Sequence, residues 1–255
     1  MYFSIITCTR NSEKFISRNV NSVEEQTFKD YEQIFIDGES TDRTQPIIRK
    51  WVKEDSTRYK LFIYPPNGIS NAFNKGIEKS RGKYLIFLNS DDYFFDNSVL
   101  ADVNSFFTEN MDLDWIYGKI NVVEEDKKKV GTFPNQKIFQ IANRTLLKYI
   151  NYVPHQAVIM NRKVFDRFGK FDESLKTSMD RDLWLRISTK TKWQFFDRTV
   201  ACYTIRPGSA SSSKEMFVEN AARAEAVQKR HLNDAEVILA RIGNRVISLI
   251  NKTRR

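Results

Sequence analysis

An α/β fold with a central, mostly parallel sheet flanked by helices is predicted from two features of the sequence. Residues 84–88 (YLIFL) are an unbroken apolar run, too short for a surface helix and typical of a strand buried on both faces of a sheet. Apolar runs alternate with segments of helical periodicity over residues 2–90, which is typical of a parallel sheet of the Rossmann kind. No GxGxxG turn follows the first apolar run, so a dinucleotide cofactor is not expected.

Strands and helices alternate regularly in the first part of the chain. Ser12 is a candidate N-cap for the first helix, Pro46 suits the first turn of the second, and Asn67 and Gly68 form a turn before the third. The strands are predicted at residues 2–7, 31–36, 61–64 and 84–88, and the helices at 12–26, 46–52 and 70–79.

The remainder of the chain alternates less regularly. Asp180 and Asp182 are predicted to precede a helix that bears Leu183 and Trp184. We expect one continuous domain over residues 1–213 and a helical extension over 214–255 that packs on the domain, on a partner subunit or on a membrane surface. The other predicted strands are 114–118, 120–123, 157–161 and 193–203, and the other predicted helices are 99–107, 163–168, 214–232 and 235–251.

The charge of the chain favours an anionic partner. It has 41 basic and 32 acidic residues and a formal net charge of +9. No RNA-binding or DNA-binding signature accompanies this charge, so a membrane surface or a lipid diphosphate is favoured over nucleic acid. The two cysteines, Cys8 and Cys202, lie in apolar runs, which argues for a reducing compartment and against a disulfide scaffold or a zinc site. The first residues resemble a strand rather than a signal peptide, and no segment is long enough to cross a bilayer. We therefore expect a cytoplasmic protein.

Two adjacent acids, Asp91 and Asp92, follow the apolar run at 84–88. The carboxyl ends of strands in open α/β sheets are where ligands bind. A buried pair of like charges is costly unless a cation or hydrogen-bond donors compensate, and a divalent metal that holds a diphosphate would do so. The alternative is that the pair caps a helix starting near Asp96.

Several motifs occur together in a fixed order. The chain carries SIITCTRN at 4–11, DGESTD at 37–42, NGISNAFNKGIEKSRGKYLIFLNSDD at 67–92, the pair HQ at 155–156, and FDESLKTSMDRDLWLR at 171–186. This order resembles the family 2 glycosyltransferases over residues 2–213. The resemblance implies the GT-A fold and transfer of a sugar from a nucleotide diphosphate with inversion at the anomeric carbon.

The resemblance implies a site for the nucleotide. Thr7, Thr9 and Asp37 match positions that hold the base and ribose, and an aspartate suits uracil because a carboxylate accepts a hydrogen bond from the imide N–H. For the two threonines, a strand end followed by a helix cap is the alternative. Ser90 and Asp91 belong to the same nucleotide site.

The NSDD segment matches the metal motif of the family. Asp91 and Asp92 are the implied ligands of Mn²⁺ or Mg²⁺, with phosphates and waters completing the coordination. The metal would stabilise the departing nucleotide diphosphate. Asn89 stands where an acid is common in the family.

Two further residues are implied on the donor side. Asn71 stands where similar sequences carry an acid and is expected to contact the nucleotide, with a simple place in the first turn of a helix as the alternative. Arg206, in RPGSASSS at 206–213, is expected to cover the diphosphate because a guanidinium matches phosphate geometry, with an ordinary surface arginine as the alternative.

The implied general base is Asp180. An inverting transfer needs a carboxylate that takes the proton of the acceptor hydroxyl. Asp182 is two residues on and cannot point the same way, so we expect it to act as a cap and to pair with Arg186 at i+4. His155 and Gln156 are the implied acceptor contacts, although a hydrogen-bonded structural histidine is the alternative.

The sequence therefore predicts a metal-dependent inverting glycosyltransferase with a UDP-sugar donor and a glycan or lipid-linked glycan acceptor. A sugar nucleotidyltransferase and a non-catalytic sugar-nucleotide-binding module on a transferase scaffold are the alternatives. The last predicted helix has an apolar stripe (Ile238, Ile242, Val246, Leu249) beside basic residues, which suits contact with an anionic membrane or, alternatively, packing on the domain or in a homodimer.

Overall fold

One mixed sheet runs through the computed structural model, which describes the backbone of residues 1–141, 143–206 and 214–252 and the side chains of 1–141, 143–206 and 222–243. The described strands are β1 (Phe3–Thr9), β2 (Tyr31–Asp37), β3 (Tyr59–Ile63), β4 (Tyr84–Phe87), β5 (Tyr93–Phe94), β6 (Trp115–Val123), β7 (Lys129–Phe133), β8 (Val158–Asn161) and β9 (Trp193–Thr204). Their order in the sheet is β3-β2-β1-β4-β8-β6-β9-β5, with β7 paired to β6.

The first half of the sheet is parallel, as predicted. β1 pairs with β2 so that Thr9 lies opposite Asp37, and β1 also pairs with β4 in parallel. The helices α1 (Ile16–Glu24), α2 (Thr44–Glu54) and α3 (Gly68–Lys79) connect these strands. The carboxyl ends of β1, β2, β3 and β4 therefore meet at one edge of the sheet.

The central strand β4 is buried on both faces. Leu85 and Phe87 belong to the hydrophobic cluster on one face of the sheet, and Tyr84, Ile86 and Leu88 belong to the cluster on the other. Successive side chains of a strand point to opposite faces, so an unbroken apolar run fills two cores at once.

The second half of the sheet is mixed. β8 lies between β4 and β6 and is antiparallel to both, whereas β6 and β9 are parallel. The helices of this half are α4 (Val99–Glu109), α5 (Arg144–Tyr149), α6 (Arg162–Phe168) and α7 (Met179–Ile187). Residues 115–123 form a single strand where two were predicted, since the bulge at Gly118 does not interrupt it. The two-residue strand β5 was not predicted, because a segment this short has no periodicity to detect.

Three helix caps considered from the sequence are not observed in the structure. α1 begins at Ile16, and Phe15 rather than Ser12 precedes it; the Ser12 carbonyl accepts the Phe15 N–H at 2.9 Å and closes an extra turn. Asp180 and Asp182 lie in the first turn of α7 rather than before it. Asp91 and Asp92 do not cap a helix, because α4 begins only at Val99.

The C-terminal helices α8 (Lys214–Lys229) and α9 (Asp234–Lys252) contact α7 and α5 respectively. Leu232, Val237 and Ala240 form a small buried cluster against Tyr149. Among the described helices, none combines the length and apolar character that crossing a membrane requires. Residues 207–213 of the predicted loop at 206–213, which ends at the predicted domain boundary, lie outside the described residues, as do the side chains of Val246 and Leu249.

Candidate active site

A cleft of about 660 Å³ lies at the carboxyl ends of β1, β2, β3 and β4. This is the edge of an open α/β sheet where ligands bind. Nine of the residues predicted to form the site line it: Thr9, Asp37, Asn71, Ser90, Asp91, His155, Gln156, Asp180 and Arg206. Residues far apart in the chain, from β1 to the end of β9, are thus brought to one cavity.

Two predicted residues, Thr7 and Asp92, do not line the cleft. Thr7 is fully buried two residues before the end of β1, and its Oγ1 accepts a hydrogen bond from Gln33 Nε2 at 3.0 Å. A side chain two residues back along a strand lies about 7 Å deeper in the sheet. The structure therefore places Thr9, and not Thr7, at the cleft.

Asp92 points into the protein rather than toward its neighbour. It is fully buried, and its Oδ1 accepts the Thr204 N–H at 3.0 Å while its Oδ2 lies 3.3 Å from Asn89 Nδ2. Burial raises the pKa of Asp92 well above its usual range, and the Asp91 charge adds to this effect. Of the two adjacent acids, Asp91 alone faces the cleft.

Asp91 is held on both its main chain and its side chain. Its carbonyl oxygen accepts hydrogen bonds from Thr204 Oγ1 at 2.6 Å and from Arg18 Nη2 at 3.2 Å. Its Oδ2 accepts a hydrogen bond from Arg206 Nε at 2.6 Å, and the Arg206 guanidinium lies over the ring of Phe15. The carboxylate is therefore fixed at the cleft wall beside a cation of the protein.

The described residues include no group of three or more His, Cys, Asp or Glu side chains arranged to hold a metal ion. Asp91 nevertheless fits a cation that takes one protein carboxylate and draws its remaining ligands from a diphosphate and water, as hard oxygen-liganded cations do. The arrangement does not fit a cation held by protein ligands alone.

Asp37 is buried at the end of β2 and accepts four hydrogen bonds. Its Oδ1 accepts from Ser40 N and Gln45 Nε2, each at 2.8 Å, and its Oδ2 accepts from Thr9 Oγ1 at 2.7 Å and Ser40 Oγ at 2.6 Å. Four donors fill the acceptor sites of a carboxylate. A nucleobase that forms a hydrogen bond with Asp37 must therefore displace one of these four donors.

Asp180 lies in the first turn of α7 and faces the cleft. Its Oδ1 accepts the N–H of Arg181 at 2.8 Å, and a carboxylate is stabilised at a helix N-terminus. Asp182 turns away and accepts hydrogen bonds from Arg186 Nε at 2.9 Å and His231 Nε2 at 2.8 Å. The expected i+4 pair and the opposite directions of the two acids are both observed.

The ring of His155 stacks on Phe73 with 5.1 Å between the ring centroids. Neither ring nitrogen is exposed to solvent, and neither finds a hydrogen-bond partner among the described residues. Burial lowers the pKa of His155, and the nearby Asp180 carboxylate partly offsets this. The ring is therefore a neutral group beside the proposed base, and it is not the hydrogen-bonded structural histidine considered as the alternative.

A buried arginine fixes the helix that carries Asp180. Arg181 is 2% exposed and donates to the carbonyl oxygens of Leu147, Lys148 and Ile150 at the end of α5. Such bonds satisfy the unpaired carbonyl groups of a helix C-terminus. The position of α7 thus depends on α5.

The cleft residues that were not predicted from the sequence include Arg10, Tyr64 and Lys176. Arg10 follows β1, Tyr64 follows β3, and Lys176 lies shortly before α7. Arg10 and Tyr64 could have been found, because both follow strands whose carboxyl ends meet at the ligand-binding edge. Lys176 has no comparable signal in the sequence. Arg10 and Lys176 add positive charge to the cleft.

Proteins of known sequence and structure resemble this chain over most of its length. A PGL/p-HBAD biosynthesis glycosyltransferase of Mycobacterium bovis is 27% identical over 184 residues, which are 72% of this chain and 68% of that protein. Residues 1–349 of S. aureus TarS in complex with UDP-GlcNAc superpose with a TM-score of 0.73 at 25% identity, over 97% of this chain and 73% of that one.

A more distant structure has the same fold. The mannosyltransferase PcManGT from Pyrobaculum calidifontis, in complex with GDP-Man and Mn²⁺, superposes with a TM-score of 0.70 at 14% identity, over 91% of this chain and 65% of that one. The predicted GT-A fold is confirmed. Residues 4–207 match the family model described as Glycosyl transferase family 2, and the chain belongs to that family.

Proposed function

We propose that this protein is a metal-dependent inverting glycosyltransferase that moves a sugar from a UDP-linked donor to a hydroxyl group of a glycan or lipid-linked glycan. The observation that carries the proposal is that Asp91 and Asp180, 89 positions apart in the chain, line the same cleft. Inverting transfer requires stabilisation of the leaving group and a base for the acceptor at one site.

The donor side of the cleft suits a nucleotide diphosphate. Asp91 would hold Mn²⁺ or Mg²⁺, and the cation, when bound, supplies electrostatic stabilisation of the departing diphosphate. Arg10, Lys176 and Arg206 line the same cavity and provide cationic contacts for phosphate oxygens. UDP-GlcNAc in TarS and GDP-Man with Mn²⁺ in PcManGT support a nucleotide-sugar donor and a divalent cation in this chain.

On the acceptor side, Asp180 takes the proton of the attacking hydroxyl. The Arg181 N–H bound to its Oδ1 fixes the carboxylate, and Oδ2 remains for the proton. His155 and Gln156 line the cavity and contact the acceptor in this proposal. Because His155 is neutral, it adds no charge beside the base, and its buried ring nitrogens would have to become exposed before they could bond to the acceptor.

The setting that we propose is the cytoplasmic face of a membrane. The chain carries a net charge of +9, and Ile238, Leu239 and Ile242 of α9 are each more than half exposed. A cationic protein with an exposed apolar helix face suits peripheral contact with an anionic membrane that holds a lipid-linked acceptor. A homodimer formed through this face is the competing explanation, and vesicle binding compared with oligomeric state separates the two.

Nucleotide titration tests the proposal. UDP is expected to bind more tightly than GDP, and Mn²⁺ is expected to strengthen UDP binding by at least about tenfold, which corresponds to about 1.4 kcal/mol. A screen of donor hydrolysis across UDP, GDP and dTDP sugars then identifies the donor. Negligible and metal-independent binding of both nucleotides, together with no turnover of any donor, would overturn the proposal.

A further inference from the structure

One face of α3 holds the segment that leads to Asp180. We call residues 171–178, which lie between α6 and α7, the entry segment. Ser70 Oγ donates to the Leu175 carbonyl at 3.0 Å. Asn74 Oδ1 accepts the Phe171 N–H at 3.0 Å, and its Nδ2 donates to the Phe171 carbonyl at 2.9 Å. α3 therefore binds the main chain of the entry segment at two places.

A third contact is made to a side chain of the entry segment. Glu173 accepts a hydrogen bond from Asn71 Nδ2 on Oε2 and one from Asn74 Nδ2 on Oε1, each at 2.8 Å. These two bonds lower the pKa of Glu173, the bond from Asn71 having the larger effect. Both oxygens of one carboxylate are thus directed at α3.

The end of the entry segment has a backbone conformation that needs support. Ser178, the residue before α7, has a φ of 62°, in the left-handed region that residues other than glycine rarely adopt. Its side chain makes no capping hydrogen bond to α7. A conformation of this kind is unfavourable and persists where surrounding contacts determine it.

We propose that Glu173 is a positioning residue for Asp180, held by Asn71 and Asn74 so that the entry segment sets the start of α7. The inference rests on the proposed function, in which Asp180 is the base. It assigns Asn71 a role different from nucleotide contact alone: Asn71 lines the cleft, and its amide is committed to Glu173.

The contact makes a specific demand on position 71. Glu173 carries a negative charge, so residue 71 must be a neutral donor. An aspartate there would place two carboxylates at hydrogen-bond distance and repel the entry segment. Replacing Glu173 by glutamine in the same protein would restore a donor opposite the introduced aspartate, while Asn74 still donates to the remaining oxygen.

The test compares Asn71→Asp, Glu173→Gln and the double variant in the full chain. We expect Asn71→Asp to lower kcat at least about tenfold, the loss that follows from breaking one hydrogen bond to a charged group. The double variant is expected to recover to within about threefold of the parent kcat, since it regains the bond. Any direct effect of the introduced aspartate on the nucleotide persists in both the single and the double variant, so recovery measures positioning.

A second readout does not depend on turnover. Hydrogen exchange of the amides in residues 171–182 is expected to quicken in Asn71→Asp and to slow again in the double variant. The control is Asp112→Asn, an exposed acid that pairs with Lys192 outside the entry segment, and it should leave kcat within about twofold.

The outcomes separate this inference from the proposed function. A double variant as slow as Asn71→Asp, or unchanged exchange in Asn71→Asp, would overturn the role of Glu173 even in an active enzyme. If the parent turns over no donor, the proposed function fails, and the exchange measurement still decides whether Glu173 orders the entry segment.

Discussion

Arg206 Nε donates a hydrogen bond to Asp91 Oδ2 over 2.6 Å at the wall of the cleft. The Asp91 carboxylate, which we propose as the ligand of the metal ion, is therefore already paired with the Arg206 guanidinium. A bound metal ion and the guanidinium would compete for this carboxylate, whereas a diphosphate would offer oxygens to both.

Arg206→Gln is predicted to change metal and nucleotide affinity in opposite directions. Without the guanidinium, Mn²⁺ alone should bind about threefold to tenfold more tightly, and UDP in the presence of Mn²⁺ should bind more weakly by a similar factor. Electron paramagnetic resonance of free Mn²⁺ measures the affinity for Mn²⁺ alone. Calorimetry measures the affinity for UDP in the presence of Mn²⁺. Arg198→Gln, which removes a guanidinium paired with Asp96 and Asp102, should change neither. Unchanged Mn²⁺ affinity in Arg206→Gln would contradict the competition.

Asp91→Asn and Asp92→Asn are predicted to differ, although the residues are adjacent. Asp91 faces the cleft, so its amide variant should lose at least about tenfold of the Mn²⁺-dependent gain in UDP affinity. Asp92 faces Thr204 and Asn89, so its amide variant should keep that gain within about threefold. UDP titrations with and without Mn²⁺ measure both. Equal losses would show that both acids hold the cation.

Asp180→Asn is predicted to abolish proton transfer while leaving the donor site intact. Transfer should slow by about 10²–10⁴, the usual contribution of a general base. UDP affinity should stay within about twofold, because the amide retains the shape of the carboxylate. Single-turnover transfer and UDP titration are the measurements. A variant with near-parent rates would remove Asp180 as the base.

Asp182 is predicted to make stability depend on pH. Burial alone would raise its pKa, but hydrogen bonds from His231 and Arg186 outweigh burial and lower the pKa below its usual value. The folded protein then binds this proton less readily than the unfolded chain. The stabilisation of the folded protein by ionised Asp182 is complete above the unfolded-state pKa of about 3.9. It is lost as the pH falls through the lower pKa of the folded state.

Asp182→Asn should therefore lower the free energy of unfolding by about 2 kcal/mol at pH 7, and its difference from the parent should shrink below about pH 4. Denaturant unfolding at several pH values measures this. Asp112→Asn is the control, because Asp112 and its partner Lys192 are both mostly exposed, and it should have little effect. A gap that stays constant down to acid pH would refute the assignment.

Gly76→Ala is predicted to destabilise the packing of α3 on β1. A Cβ at this position would collide with Cγ2 of Ile6. Replacing glycine by alanine inside a helix gains about 1 kcal/mol in helix propensity. Overpacking costs about 1–3 kcal/mol, and we expect a cost near 3 kcal/mol here, which exceeds that gain. Thermal unfolding should show a loss of several degrees. Gly131→Ala, where a Cβ meets nothing within 4 Å, should not lower the Tm, and equal effects of the two would argue against the collision.

The parallel half of the fold was predictable because β1, β2 and β4 are buried on both faces. The unbroken apolar run of β4 and the helical spacing between strands indicate parallel strands before any contact is known. The Asp182–Arg186 pair was predictable for a similar reason, because i+4 neighbours meet on any helix.

Side-chain direction in turns was not predictable. Asp92 turns inward because the N–H of Thr204, 112 positions away, meets its carboxylate. Asn71 and Glu173 are 102 positions apart, and only the packing of α3 against the entry segment brings them together. β5 was not predicted because two residues are too few to show a periodic pattern. It nevertheless pairs with β9 directly after Asp92.

The carbonyl partners of Arg181 determine which positions at this junction can accept other residues. Main-chain oxygens are present whatever side chains occupy positions 147, 148 and 150, so this junction places no hydrogen-bonding demand on those side chains. Position 181 has no such latitude, since a lysine lacks the planar fork that reaches three oxygens. Mutational scanning should accordingly find position 181 intolerant and the partly exposed position 148 tolerant, whereas position 147 is restricted by its burial in the core.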